Sequence, residues 1–192
     1  MASHKIHYDY HDLGTKSWLI DSGMDKADAD IVSASNNHVD WIWGHKDAVP
    51  RWVPFIGGMP GLHFNISKKG EYGTKEDTRV INAMSYIEES ISLKDSDRKK
   101  SLELLGIALH AMQDVAFHTD DLVYDFGLFM FHGPFRADNI YRRPKYCIIL
   151  SEFYTRSLAC MWCCNKFDPN APFWDINNIK ISFECQKSKT PS

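Results

Sequence analysis

Apolar side chains along most of this chain recur every three or four positions, the period of helices that bury one stripe, so the chain reads as helices joined by loops. A first helix is expected from about His11 to Ser22, carried by Leu13, Trp18, Leu19 and Ile20 and stopped at Gly23. Asp25 is placed to cap a second, with Ala27, Ile31, Ala34 and His38 along one face and Trp41 and Trp43 at its end. Thr74 and Asp77 make a capping-box-like start for a third, carried by Val80, Ile81, Met84, Ile87 and Ile91. The polar turn KDSDRKK leads into a fourth, about Asp97 to His118. A fifth, Cys147 to Cys164, is apolar nearly all round, which predicts a place in the middle of a bundle.

Between Gly44 and Gly73 the period is lost in a long loop marked by Pro50, Pro54 and Pro60. Trp52, Phe55, Ile56, Leu62 and Phe64 give that loop more apolar surface than disorder tolerates, so a functional loop is expected. The aromatic, glycine-containing stretch from Asp121 to Arg143 fits no single element. After Pro169 an irregular tail is expected, with NIKISFEC as a weak strand candidate and KSKTPS frayed. These elements predict an all-α fold: one helical bundle over residues 1–192, its core about 6–168 and its tail 169–192, with a long irregular loop.

Composition narrows this picture. A chain of 192 residues with 44% hydrophobic and 13% aromatic side chains fills one core. A formal net charge of -3 leaves no global positive field for a polyanion, though Lys68, Lys69, Arg142, Arg143 and Lys145 keep a local basic patch open. No window approaches the roughly 18 apolar residues of a membrane span. The opening MASHKIHYDYH lacks an apolar core behind a basic leader, so a soluble chain is expected, cytoplasmic or exported by a leaderless route as an effector. Five cysteines, four of them in one apolar segment, suit reduced thiols. The run CMWCC offers soft ligands at Cys160, Cys163 and Cys164, but without a second ligand pair the preferred reading is packing on a buried helix.

The candidate chemistry lies in LGIALHAMQDVAFHTD, where His110, Asp114 and His118 interrupt an apolar helix at intervals of four. Such positions span only about 80° of a helix, so all three side chains face one way. Two imidazoles and a carboxylate on an inner face need hydrogen bonds or a cation; a satisfied polar network would serve as well as a metal. Other segments add to the same chemistry: His7, Asp9 and His11 in HYDYH, His38 and Asp40 in NNHVD, His63 in GLHFN, and His132 and Asp138 in FHGPFRAD.

The order of these clusters resembles the zinc-dependent phospholipase C and fungal single-strand nuclease superfamily. It is closest to an uncharacterised bacterial branch with a D-F-H-Y-like start, a Y-V-D-D-like helix end, an H-F motif and A-L-H-x-x-x-D-x-x-x-H. The matching stretches here are DYHD from Asp9, HVDW from His38, LHFN from Leu62 and ALHAMQDVAFH from Ala108, and the resemblance covers roughly residues 6 to 165. It implies a cluster of two or three zinc ions in a cleft between helices. Asp40, His63, His110 and Asp114 would surround one ion, and Asp114 would bridge to a second held by His11. In the secreted enzymes the N-terminal amino group completes that second site; here ten residues precede His11, and Asp9 or His7 takes its place. His118, His132 and Asp138 would hold a third, with Asp120, Asp121 or Asp125 as alternative final ligands.

A site of that kind hydrolyses phosphoesters with a metal-activated water. Asp40 is the candidate to orient the water and accept its proton, and Asn37, Asn65 or Gln113 to orient imidazoles. Trp41, Trp43 and Phe55 are the candidate substrate contacts, suited to acyl chains or to stacked bases. The negative net charge favours a phospholipid or small phosphodiester substrate over nucleic acid. Single-strand nuclease activity, and a helical toxin or interaction module with structural zinc, are the alternatives.

Overall fold

Three helices begin where an aspartate caps their exposed N–H groups. Asp25 accepts from the Ala27 amide at 2.8 Å, Asp77 from the Arg79 amide at 2.9 Å and Asp97 from the Lys100 amide at 3.0 Å. In this computed structural model the described residues are 14–39, 62, 72–117 and 145–179. They form α1 (Thr15–Asp21), α2 (Lys26–His38), α3 (Thr78–Leu93), α4 (Arg98–Phe117) and α5 (Lys145–Cys163), followed by a short 3-10 turn at Pro172–Trp174. The fold is all-α, one bundle, with no strand among the described residues. None of these helices is long and apolar enough to cross a membrane.

The middle of the bundle is α4, not α5. From Leu102 to Ala116 every residue of α4 is buried except Glu103, and the helix packs against α2, α3 and α5 at once. α5 instead lies on one flank, with Ile149 and Phe153 more than a third exposed. The all-round apolar pattern of α5 is therefore a poor guide to its position. Small residues on α4 allow it the central place: a Cβ on Gly106 would lie 2.5 Å from the Val32 carbonyl oxygen and 2.7 Å from Ser35 Cβ. α2 and α4 thus meet backbone to backbone where only glycine fits.

That close crossing also sets the rotation of α2, which differs from the expected one. Ala27, Ala34 and His38 are exposed and Ile31 is half-buried; Ala29, Val32, Ser33, Ser35 and Asn36 face the core. Small polar residues fill the tight interface, and Ser35 Oγ donates to the Glu103 carbonyl at 2.8 Å. α1 ends at Gly23, whose φ of 90° is the left-handed conformation of a helix stop.

α3 starts at Thr78 with Asp77 as its cap, one turn later than the Thr74 start; Ile81 is 49% exposed, whereas Val80, Ala83 and Ile87 face α4. The segment expected to be an irregular tail holds fully buried Trp174, whose indole N–H donates to the Asp168 carbonyl at 2.8 Å. Ile176 N–H donates to the Gly73 carbonyl at 2.8 Å, tying this segment to the start of α3, and residues 176–179 are helical, which includes the first two residues of NIKISFEC.

Candidate functional site

His110 and Asp114 project from the middle of α4 into the interior, with side chains 0% and 3% exposed. The imidazole is held by α2: His110 Nδ1 lies 3.0 Å from the Asn36 carbonyl oxygen and 3.3 Å from Asn36 Oδ1. A carbonyl oxygen can only accept, so Nδ1 carries the proton and donates. His110 Nε2 then points at Asp114, 3.3 Å from Oδ2. An unprotonated Nε2 facing a carboxylate at that distance is repulsive, and a proton shared by the pair or a cation bound by both atoms would each relieve it.

Asn36 is itself fixed. Its side-chain amide donates to Gln113 Oε1 at 3.0 Å, and Gln113 Nε2 donates to Thr15 Oγ1 at 2.8 Å and Thr155 Oγ1 at 3.0 Å. The Thr155 hydroxyl in turn donates to the Ser151 carbonyl at 2.8 Å. α1, α2, α4 and α5 thus meet through one buried polar layer whose members satisfy one another. Of the three residues expected to orient imidazoles, Gln113 acts one step removed, through Asn36; Asn37 is half-buried; Asn65 lies outside the described residues. The residue that holds His110 is Asn36, which apolar periodicity misses because it selects nearly the opposite face of α2.

On the α3 side stands a pair that sequence reasoning also missed. Arg79 is fully buried, donating to Asp77 Oδ1 from Nε at 3.0 Å and to Asp77 Oδ2 from Nη2 at 2.7 Å. Burial opposes the Arg79 charge, but the hydrogen bond and charge of Asp77 outweigh it and hold the guanidinium above its ordinary pKa. Arg79 Nη1 also donates to the Asp114 carbonyl at 3.3 Å, and Tyr72 hydroxyl donates to the Val115 carbonyl at 2.7 Å. The turn of α4 that carries Asp114 is pinned through its backbone from this side. In sequence Asp77 stands only as a helix-cap candidate, and nothing local marks Arg79 as its buried partner; only the tertiary fold buries both.

Of the residues expected to bind metal or substrate, only His110 and Asp114 lie among the described residues. Asp9, His11, Asp40, His63, His118, His132 and Asp138, together with Trp41, Trp43 and Phe55, lie outside them. Asp40 directly follows Val39, whose side chain is buried at the end of α2. Among the described residues no group of three His, Cys, Asp or Glu side chains converges as a metal site. The chain matches no protein-family model, no curated protein and no solved structure.

The cysteines depart from their expected burial. Cys147 is buried in α5, but Cys160, Cys163 and Cys164 are exposed at its C-terminal end. A hydrogen bond with Cys164 pushes the Cys160 thiol above its ordinary pKa, and burial pushes that of Cys163 up.

Proposed function

We propose that this chain is a zinc-dependent phosphoester hydrolase, phospholipase C-like in its ordered His and Asp motifs. The observation that carries the reading is the His110–Asp114 pair: Nδ1 is committed to the Asn36 carbonyl, and Nε2 is turned to the Asp114 carboxylate 3.3 Å away. A metal-ligating histidine characteristically donates its other ring nitrogen to a carbonyl, which fixes both tautomer and orientation. The donors fit zinc, which takes imidazole nitrogen and carboxylate oxygen. His110 and Asp114 would hold the ion together with Asp40 and His63, and His11, Asp9, His118, His132 and Asp138 would hold the further ions that the resemblance implies. When bound, zinc supplies an acidified water and a Lewis acid for phosphate oxygens.

The chain's own residues divide the remaining work. Asn36 keeps the His110 ring from rotating, and Arg79 keeps the Asp114 turn in place through its carbonyl. Asp40 takes the proton that the attacking water sheds. Trp41, Trp43 and Phe55 supply apolar contact to the substrate, a phospholipid or small phosphodiester, since a chain at -3 gains little from counterion release on a polyanion.

A second reading has its own observation. Asp77–Arg79 and Thr15–Asn36–Gln113–Thr155 are buried polar groups satisfied entirely by protein, so this bundle uses such groups for architecture. His110–Asp114 would then belong to a helical module, with zinc, where bound, holding segments together.

The test is hydrolysis by the zinc-loaded chain of phosphatidylcholine vesicles, a soluble short-chain phospholipid, a chromogenic phosphodiester, single-stranded DNA and RNA. The phospholipid or small diester is expected to be cleaved best, with activity lost in Asp114→Asn. Cleavage of single strands with phospholipid intact would assign the nuclease activity instead. Bound zinc with no turnover of any substrate would assign the structural module.

A further inference from the structure

A different end of the bundle carries chemistry that the His110–Asp114 reading does not use. The last turn of α5 is split by face: Met161 and Trp162 are buried, whereas Cys160, Cys163 and Cys164 are exposed. Cys160 Sγ and Cys164 Sγ lie 4.0 Å apart on adjacent turns, and the Cys164 amide still donates to the Cys160 carbonyl at 2.9 Å. The two thiols therefore sit on continuous helical backbone.

That backbone is anchored from behind. Trp162 Nε1 donates to Ser101 Oγ at 2.8 Å, and Lys94 Nζ donates to the Trp162 carbonyl at 2.7 Å and the Cys163 carbonyl at 3.0 Å. Lys94 Nζ also stands 4.3 Å from the centroid of the Trp162 ring. Asn165, at φ 53°, closes the helix, with Lys166 N–H donating to the Met161 carbonyl at 3.1 Å. The thiols project from a turn fixed on its inner side, and a pair held in place loses little freedom when it grips an ion.

We propose that Cys160 and Cys164 form a surface dithiol clamp for a soft monovalent cation of the copper(I) class. Two sulfurs 4.0 Å apart subtend about 120° at an ion placed about 2.3 Å from each, the zinc–thiolate bond length. That angle is wider than a tetrahedral edge requires. Among the described residues no third ligating side chain converges with the pair, which leaves the third position of a trigonal ion to an exogenous ligand such as a small thiol and excludes a closed four-ligand site built from them. The C-terminal end of a helix carries partial negative charge, which disfavours free thiolates and favours a cation. Binding forms two S–metal bonds and releases the two thiol protons to solvent, with no change in oxidation state: two thiols and one copper(I) give a bis-thiolate complex and two protons.

The test is competition, in the absence of oxygen and with reductant, between the full chain and a chromogenic copper(I) chelator. Wild type is expected to withdraw copper(I) from the chelator, and either single variant, Cys160→Ser or Cys164→Ser, to bind it about a hundredfold more weakly, because the second ligand then no longer acts intramolecularly; Cys160→Ser/Cys164→Ser should lose the site. Cys163→Ser is expected to keep nearly all of the affinity. Alkylation mapped by peptide should show Cys160 and Cys164 protected together by one equivalent of copper(I). Uptake unchanged in the double variant, an equal loss in Cys163→Ser, or alkylation at both positions indifferent to copper(I) would each overturn the proposal.

Discussion

α4 and α5 lie side by side and carry similar numbers of apolar residues, yet they occupy opposite kinds of place. α5 has no charged residue in the run Cys147–Ser151 and still shows Ile149, Phe153 and three thiols to solvent. α4 interrupts its apolar run with His110, Gln113 and Asp114 and is enclosed from Leu104 to Ala116. The difference lies in what each polar group finds. Gln113 meets Thr15, Thr155 and Asn36, and His110 meets Asn36, so the desolvation of each is offset by geometry from a neighbouring helix. In this bundle, partnered polar residues and close-approach glycine mark the centre, and a continuous apolar run marks a flank.

The comparison breaks most visibly at the buried ion pair. Arg79→Met removes the only cation beside fully buried Asp77 among the described residues, and a carboxylate left without its partner costs about 3–5 kcal/mol. Denaturant unfolding should show this loss directly. A stability change below about 1 kcal/mol would mean that the pair is solvated in solution, since surface pairs contribute no more than that. Next in size is Gly106→Ala, where the new methyl meets the α2 backbone 2.5 Å away. Overpacking of that kind costs about 1–3 kcal/mol, and an unchanged melting temperature would contradict the close crossing of α2 and α4.

Further substitutions sharpen the edges of the same contrast. Asp25→Ala removes the side chain that caps α2 and should cost about 1 kcal/mol in thermal or denaturant unfolding. Phe153→Ser, on the exposed flank of α5, should cost less than the cavity-forming substitution Leu109→Ala on α4, for which about 2–5 kcal/mol is expected. Equal losses at the two positions would erase the distinction between flank and centre.

How far the fold is legible in the sequence depends on the kind of signal. Helix starts at Asp25 and Asp97 and the stop at Gly23 follow from local hydrogen bonding and backbone sterics, which depend on a few consecutive residues. The rotation of α2 is not local. Its inner face is built of Ala29, Val32, Ser33, Ser35 and Asn36, mostly small or polar where α4 approaches closely, and a search for apolar periodicity selects Ala27, Ile31, Ala34 and His38 instead. The same displacement hides Asn36 as the partner of His110.

His110 and Asp114 themselves are legible, because a spacing of four on an apolar helix permits one inward direction for both. Their anchors are not. Asn36 is 74 positions from His110, and Arg79 reaches the Asp114 carbonyl across 35 positions, pairings that no short motif encodes. Trp174 shows the same limit: its burial depends on a return to the start of α3, and a proline- and asparagine-rich approach reads locally as a loose tail.

The central claim, that Nε2 of His110 faces Asp114 across a metal position, is tested most directly by zinc titration of the chelator-stripped full chain. Wild type and Asp114→Asn are compared, with zinc content and melting temperature read together. Wild type should take up about two to three ions, gaining about 2.7 kcal/mol for each site filled when free zinc reaches about one hundred times its Kd. Asp114→Asn should lose bound zinc and most of that gain, because the amide removes the carboxylate charge while keeping the size of the side chain. Wild type that binds no zinc and melts at the same temperature with zinc or chelator would contradict the claim and leave His110–Asp114 as a proton-bridged pair of the polar core.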